Sequence, residues 1–551
     1  MRTLTTDVLV IGGGATGTGC LRDLAMRGIR AILVEKGDLT HGTTGRYHGL
    51  LHSGGRYVVK DPQSATECAE ENAILRRIMP HCIEDTSGFF VVTPWDDPAY
   101  ADTFVAGCRQ TGVPVTEIAV AEALHREPAL HPRISRVFEV PDGGSDSFMA
   151  AHANVAAAQQ YGGQTLTYHM VVALLRHGDR VEGAIVADLR TGEQLRIEST
   201  FVLNAAGAWT GKIAALAGVP VTVVPGKGTM VAMNHRFVNT VINRCKPPAD
   251  GDIIVPIRTV CVIGTTDVPV LDPDVYGIDA EEIQLMLTEG EKLVPAFTAY
   301  RALRAWAGVR PLYKDQATQE DRDISRTYKL LDHEARDGVT GLISIVGGKW
   351  TTYRRMAQAT VDALARKLGN TQPCRTHLEV LPVPTTERPP TPEPQRTGAT
   401  RALFWMGKPL ADVERDDSYG DLICECELVT RHRLVAAIAS GAKNLDDIRR
   451  DVRMGMGPCQ GGWCIYRSTA LLFEERAKPA QSELPAPGAF SNRHANAALV
   501  HFLQERWKGL TPVLWGDQLR QARLDELIYV GVLGVDRLGV LAEPGGGLVT
   551  Q

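Results

Sequence analysis

The tightest constraint on this chain lies at its start. Gly12-Gly13-Gly14-Ala15-Thr16-Gly17 follows the apolar run Thr6 to Ile11 and opens a helical pattern from Ala15 to Arg27. A second apolar run, Arg30 to Val34, ends next to Glu35, eighteen residues after the last glycine. This order predicts strand, glycine turn, helix and second strand, a βαβ start. Gly12 permits the tight turn, Gly14 lets the backbone reach a pyrophosphate at the helix N-terminus, and Gly17 allows close packing of helix on strand. Glu35 is placed to bind ribose hydroxyls. A lone G-x-G-x-x-G is weak, because any glycine-rich turn satisfies it. With both strands, the helix and the terminal acid in place, it reads as a dinucleotide site. FAD and NAD share the pattern, so the motif does not choose between them.

The rest of the chain must fold around that unit. With 551 residues, 44% hydrophobic and 22% charged, the chain is globular and long enough for two to four domains. A formal net charge of -5 gives no basic footprint for nucleic acid, which is excluded as a partner. No apolar run approaches the roughly 18 to 20 residues that span a bilayer, and Met1 to Asp7 lacks the apolar core of a secretory signal. The expectation is a cytosolic chain with no transmembrane segment or signal peptide, able to dock on a membrane protein.

Eleven cysteines without an export signal read as thiols or cofactor ligands rather than disulfides. Cys20, Cys68, Cys82, Cys108, Cys245, Cys261 and Cys374 are scattered singly and are expected to fill cores. Cys424, Cys426, Cys459 and Cys464 fall together. Six prolines between Pro382 and Pro394 mark an extended linker, and Lys478 to Arg493 is a second loose stretch. Between Thr165 and Asn204 strand-like runs broken by turn signals predict a meander, and Val221 to Thr266 predicts a second sheet closing over a ligand. Gly341 to Val346 is a buried-type strand that precedes a helix from about Thr351 to Leu368.

Further segments discriminate where the first motif does not. Thr40 to Tyr57 is rich in glycine and hydroxyls. It is followed in order by Asn204-Ala205-Ala206-Gly207-Ala208-Trp209, Ile263-Gly264-Thr265-Thr266-Asp267, Gly308-Val309-Arg310-Pro311-Leu312 and Gly347-Gly348-Lys349-Trp350-Thr351-Thr352-Tyr353. In these residues the sequence resembles the FAD-dependent glycerol-3-phosphate dehydrogenases, and within them the large A subunits of the bacterial anaerobic enzymes. Trp350 stands where that family is expected to carry leucine.

The resemblance implies an α/β fold: a Rossmann-like FAD-binding domain of the glutathione-reductase-like flavoprotein type, a β-rich substrate domain, and a small C-terminal helical cysteine-cluster domain. It divides the chain into an oxidoreductase unit at 1–380, with FAD-binding parts near 1–80, 145–215 and 335–370 and a substrate sheet near 81–144 and 216–334. A proline-rich connection follows at 381–420, a [2Fe-2S]-binding-like domain at 421–477 and a linker with a tail at 478–551. The implied FAD contacts are Gly12, Gly14, Gly17, Glu35, Thr43, Thr44, Gly45, Gly49, Leu51, His52, Ala206, Gly207, Gly348, Thr351 and Thr352.

A phosphorylated polyol needs cationic anchors, because a phosphate dianion sheds hydration on entering a pocket. Arg56, Arg310 and Lys349 are the candidates, with Tyr57 and Thr266 beside them. An arbitrary arginine is usually a solvated surface charge; the resemblance shifts these three towards substrate contact. Oxidising the C2 alcohol requires hydride transfer to flavin N5 together with proton removal. His48 and His52 are candidates for the base, and each is equally suited to holding the cofactor or the backbone. His125, His152 and His169 have no motif around them and are expected to be structural.

Cys424-Glu425-Cys426 and Cys459-Gln460-Gly461-Gly462-Trp463-Cys464 are separated by thirty-two residues. Four such thiolates accept zinc or an iron–sulfur cluster, and spacing alone separates the two poorly. The order resembles the small [2Fe-2S] domain of bacterioferritin-associated ferredoxin, with Arg431 to Ser440 and Leu445 to Val452 as its helices. The amphipathic tail, Ala495 to Tyr529, carries Phe502, Leu503, Trp507, Leu514, Trp515 and Leu519.

The leading expectation is FAD-dependent oxidation of sn-glycerol 3-phosphate to dihydroxyacetone phosphate. The resemblance implies a second flavin subunit (B), a membrane-bound iron–sulfur subunit (C), and peripheral attachment to the cytoplasmic side of the inner membrane, with electrons passing to quinone. Two other readings share the scaffold: a flavoprotein oxidising an amine or a 2-hydroxy acid, and an electron-transfer subunit with no substrate site.

Overall fold

The computed structural model describes residues 1–314, 327–383, 421–477 and 490–540. Most of the proline-rich connection, from 384 to 420, and most of the second loose stretch, from 478 to 489, lie outside the described residues. Arg2–Ile11 sits at the centre of an eight-stranded sheet, paired in parallel with Ala31–Glu35 on one side and Gln194–Asn204 on the other. Gln164–Thr167 and Leu342–Gly347 extend it, also in parallel. Val8, Leu9 and Val10 are fully buried, a continuous apolar run suited to a parallel strand covered on both faces. One face packs on the Ala15–Met26, Ser147–Gln160 and Tyr353–Lys367 helices through Leu21, Leu24, Val155, Val361 and Leu364. On the other, Leu9, Ile11, Ile32 and Val34 meet Leu174, Val181 and Val186.

The predicted meander is present as His169–His177, Arg180–Asp188 and Gln194–Asn204, paired antiparallel in that order. The helix expected near Thr351 begins instead with a short 3-10 turn, Trp350–Thr352, and continues as Tyr353–Lys367. Tyr328–Asp332, inside the stretch assigned to the substrate sheet, pairs antiparallel with Leu342–Gly347 and lies in the first sheet. Its Leu330 packs beside the core of that sheet.

The second sheet has nine strands. The stretch from Val221 to Thr266 supplies Val223–Met233, Val241–Arg244, Ile253–Ile257 and Val260–Gly264. Distant segments complete it: Gly88–Val92, Thr116–Ile118, Arg136–Val140 and Ala302–Tyr313. Ala302–Tyr313 runs antiparallel to Val223–Met233 with Gly308 opposite Gly228, which sets Arg310 opposite Gly226. Of the scattered cysteines, six are buried and Cys374 is partly so.

Residues 421–477 form a hairpin, Leu422–Cys424 with Val429–Thr430, and the helices Arg431–Ala439, Leu445–Val452 and Cys464–Ala477. The side chains of Thr430 and Asn444 cap the first two helices by accepting from the amides of Arg433 and Asp447. The tail folds back as Asn492–Leu510 and Gly516–Glu526, and its Leu499 and Phe502 share one core with Leu434, Ile448, Ile465 and Leu472. Among the described residues no helix is long and apolar enough to cross a membrane.

Charge, rather than apolar surface alone, joins this unit to the first sheet. Arg450 lies between Asp38 at 2.6 Å and Asp447 at 3.0 Å, and the Tyr168 hydroxyl donates to Asp447. Arg453 pairs with Glu427 at 3.2 Å and Asp146 at 3.4 Å, while the Thr259 hydroxyl donates to Glu427. Arg450 is only 8% exposed, so losing it strands two carboxylates away from water. Breaking a buried pair in this way costs about 3–5 kcal/mol. Arg450→Met is therefore expected to lower the unfolding midpoint and speed amide exchange across 421–477, leaving exchange in Val223–Met233 unchanged.

Candidate functional site

A cavity of about 1130 Å³ opens between the two sheets. It exceeds the roughly 300–1,000 Å³ of ordinary small-molecule sites, which leaves room for a dinucleotide and a substrate together. Its lining joins Gly12, Gly14 and Glu35 of the βαβ unit to His48, His52, Arg56, Arg310 and Lys349.

The glycine turn is crowded in the way a dinucleotide cradle demands. A Cβ on Gly17 would lie 1.9 Å from the Gly12 carbonyl oxygen, and one on Gly12 would lie 2.6 Å from that of Ala205. Gly12 also has φ +113°, a conformation that disfavours side chains. Gly14 caps the helix N-terminally, and the Ala15 amide donates to the Thr44 hydroxyl at 3.1 Å. Glu35 pins the turn: its carboxylate accepts from the Gly13 amide at 2.7 Å and the Gly37 amide at 2.9 Å. Burial pushes this carboxyl up, against the pull of the two amides. These features fit the pyrophosphate and ribose of FAD.

The flavin-facing residues divide into those on the cavity wall and those behind it. Thr43, Thr44, His52, Ala206, Gly207 and Gly348 line the cavity. Gly17, Gly45, Gly49, Leu51, Thr351 and Thr352 do not line it; Leu51 is fully buried and paired with Gly143. Thr351 acts on His52, whose amide donates to the Thr351 hydroxyl at 3.0 Å. The His52 carbonyl accepts from Asn72 at 3.0 Å, so both peptide groups around this histidine are held.

Positive charge gathers around the two histidines. Arg56 pairs with Asp252 at 2.7 Å, and Arg310 pairs with Asp267 at 3.1 Å while donating to the Thr266 carbonyl at 2.9 Å. A Cβ on Gly228 would fall 2.5 Å from the Arg310 guanidinium, so this glycine makes room for it. Lys349 Nζ stands 4.5 Å from the centre of the Tyr57 ring, and that ring lies 5.4 Å from His52. Thr266 lines the cavity, but its hydroxyl donates to Glu282 and accepts from the Thr229 amide.

Burial, with Arg56 and Arg310 nearby, pushes the His48 imidazole down to about 3. Burial, with His48, Arg56 and Lys349, holds His52 well below its usual range. Both rings are neutral at pH 7. The Leu50 amide donates to His48 Nδ1 at 3.3 Å, so the proton of the neutral ring sits on Nε2. His48 is then a donor towards the cavity, not an acceptor.

Four cysteines converge in the smaller unit. Cys426 Sγ is 3.7 Å from the sulfurs of both Cys424 and Cys459, and Cys464 contacts the same two. Thiol donation from Cys426 and Cys464, and backbone amides of Gly455 and Glu427, pull Cys424 down to about 3. Cys459 is drawn down in the same way, with the amides of Gly461 and Trp463. Converging sulfurs met by amide donors fit an iron–sulfur cluster.

Sequence reasoning missed several wall residues, among them Arg46, Tyr47, Met230, Lys246, Trp350 and His169. His169, expected to be structural, lines the cavity while its Nδ1 bonds the Thr167 carbonyl at 2.9 Å. Tyr47 and Trp350 meet at Ser145, the tyrosine hydroxyl at 2.8 Å and the indole N–H at 2.9 Å from its hydroxyl. None of these carries a motif, since each is defined by what stands across the cavity. His152 faces Asp451 of the cysteine unit at 3.1 Å, and His125 lies in the short Val120–Arg126 helix.

Residues 7–354 match the family model for FAD dependent oxidoreductases, and residues 422–474 match that for the BFD-like [2Fe-2S] binding domain. The chain is 40% identical over 548 residues to the A subunit of anaerobic glycerol-3-phosphate dehydrogenase from Escherichia coli, covering 96% of this chain and 97% of that protein. It is 42% identical over 555 residues to the A1 subunit of the Haloferax volcanii enzyme, covering 96% and 91%. Among solved structures, glycerol-3-phosphate dehydrogenase from Bacillus halodurans in complex with FAD shares the fold. Its TM-score is 0.66 at 20% identity, covering 93% of this chain and 96% of that one.

The neutral His48 gives the fold a pH signature. Between about 3 and the ordinary histidine value of 6.5, the unfolded chain takes up a proton that the folded ring refuses, so stability falls as pH drops through this window. His48→Gln removes that difference. Unfolding midpoints measured from pH 7 to 4.5 are expected to fall less steeply in the variant than in the parent.

Proposed function

The chain belongs to the FAD-dependent oxidoreductases and, within them, to the family of anaerobic glycerol-3-phosphate dehydrogenase A subunits, and on that premise we propose that it oxidises sn-glycerol 3-phosphate to dihydroxyacetone phosphate. FAD, when bound, supplies the hydride acceptor for the C2 hydrogen, and a [2Fe-2S] cluster in the cysteine unit supplies one-electron transfer. The observation that carries the proposal is the gathering of Arg56, Arg310 and Lys349 around two neutral histidines in the same cavity as the glycine turn.

In this reading Arg310 and Lys349 take the phosphate, with Arg56 beside them. Arg310 is preorganised: Asp267 and the Thr266 carbonyl hold the guanidinium in place before substrate arrives. His52 is the proton acceptor for the C2 hydroxyl, and His48, carrying its proton on Nε2, donates a hydrogen bond. The surrounding cations oppose protonation of His52. A bound phosphate dianion offsets them, so the ring becomes a better base when substrate is present. Thr351 and Asn72 hold the backbone of His52 and thereby its reach into the cavity.

The family's designation by the letter A supports two partners, namely a membrane-bound iron–sulfur subunit that hands electrons to quinone and a second flavin subunit. Attachment to the cytoplasmic face of the inner membrane would then come through them. Trp463, beside Cys464, is 60% exposed, and Trp507, Trp515 and Leu519 also stand at the surface of the tail helices. Exposed aromatics beside the cysteine site support this face as the meeting surface.

The test is anaerobic reduction of the flavin in the isolated chain. Glycerol 3-phosphate is expected to bleach it stoichiometrically; bleaching by glycine or a 2-hydroxy acid alone would defeat the reading. Arg310→Gln and Lys349→Met are expected to raise KM while FAD stays bound, and loss of FAD instead would show that both are misplaced. His52→Gln is expected to slow flavin reduction about 10² to 10⁴-fold with little change in substrate affinity.

A further inference from the structure

The cysteine site has a buried cation as a neighbour. Arg506, on the Asn492–Leu510 helix, is 5% exposed, and its Nη1 donates to the side-chain oxygen of Gln460 at 3.1 Å. Gln460 follows Cys459 directly. One turn earlier on the helix, Phe502 presses on the same loop: a Cβ on Gly455 or Gly461 would come within 2.9 Å of its ring. The Arg506 guanidinium lies 5.0 Å from the centre of that ring, so one aromatic side chain seats the cation against the loop bearing Cys459 and Cys464. Arg506 Nη2 is buried without a hydrogen-bond partner.

A guanidinium removed from water needs a counter-charge. The surrounding protein supplies little. Arg304 of the Ala302–Tyr313 strand and Arg449 of the Leu445–Val452 helix are close enough to oppose the charge of Arg506. Asp446 favours it, but its carboxylate already serves Arg449 at 3.0 Å and His501 at 3.1 Å. The other negative group acting on Arg506 is the sulfur of Cys464. Three arginines thus face one shared carboxylate, and the balance is met on the cysteine side.

We propose that Arg506 is the fixed counter-charge of the four-cysteine site. Set against the sulfurs through Gln460 and Phe502, it stabilises the one additional negative charge that the site carries after taking up an electron released by substrate oxidation, and so raises the reduction potential of a cluster held there. It acts on the site by charge without ligating it, as a positioning residue of the redox centre. The tail helix thereby becomes part of the electron-transfer apparatus and not merely a cover. This inference rests on the reading that residues 421–477 hold a [2Fe-2S] cluster.

The test uses the full chain purified anaerobically, as the parent, Arg506→Gln and Arg506→Lys. Iron and acid-labile sulfide are measured first, followed by a dithionite titration of the cluster monitored by electron paramagnetic resonance. The midpoint is expected to shift to lower potential in R506Q, to return to the parent value in R506K, and to leave the flavin midpoint unmoved. Iron and sulfide absent from the parent would end the cluster reading and this inference with it. An intact cluster with an unshifted midpoint in R506Q, or an equal shift of the flavin, would overturn the inference alone. Should R506Q lose its cluster, R506K decides: a full complement of iron at the parent midpoint upholds the charge role, and any other result overturns it.

Discussion

The architecture depends on one close approach. The Ala15–Met26 helix can aim its N-terminus into the cavity only because Gly12, Gly17 and the backbone of Ala205 pack with no room for a side-chain carbon at either glycine. That contact ties the helix to the ends of Arg2–Ile11 and Gln194–Asn204 at once. It also makes the turn a place where free amides face outward, which an anionic pyrophosphate requires. Glu35 completes the arrangement from the neighbouring strand by accepting two backbone amides, so the acid that is proposed to meet ribose also holds the turn in shape.

Across the cavity the governing term is electrostatic. Arg56, Arg310 and Lys349 bring positive charge to a place where the two histidines are kept neutral by burial and by those same cations. Such a site is poised for a dianion: its charge is better balanced with a phosphate present than without one, and arrival of the phosphate makes the neighbouring imidazole easier to protonate. Binding and proton acceptance are thus coupled by Coulomb interaction. The carboxylates of Asp252 and Asp267 keep the arginines oriented without cancelling the site as a whole.

Buried charge also shapes the second redox unit. Asp38, Arg450, Asp447 and Tyr168 form one seam to the first sheet, while Arg453, Glu427, Asp146 and Thr259 form another reaching the second. Ionic contacts of this kind depend on geometry more than apolar packing does, and unpairing them is costly. They set the cysteine unit against the oxidoreductase body in one orientation. Asp146 belongs to both levels: it pairs with Arg453 and caps the Ser147–Gln160 helix, next to the Ser145 that Tyr47 and Trp350 share.

What the sequence determined by itself is local in character. Gly12 to Gly17 with Glu35 defined the nucleotide-binding start, because strand, turn and helix are written within thirty residues and glycine is irreplaceable where backbones touch. Cys424 to Cys464 announced a ligand set for the same reason. The order of the downstream glycine segments resembled a family, and that family is the one to which the chain belongs. Tertiary structure decided what depends on partners far away in the chain. It gave Thr266 a hydroxyl engaged by Glu282, brought His169 and Trp350 to the cavity wall, and moved Tyr328–Asp332 into the first sheet. It separated His48, a donor by virtue of the Leu50 amide, from His52, whose motif-level description was the same. It also set Arg506 beside Cys464, across forty-two residues, where no spacing rule points. A side chain's role in a site follows from its neighbours' charges and hydrogen bonds, and those neighbours are chosen by the fold.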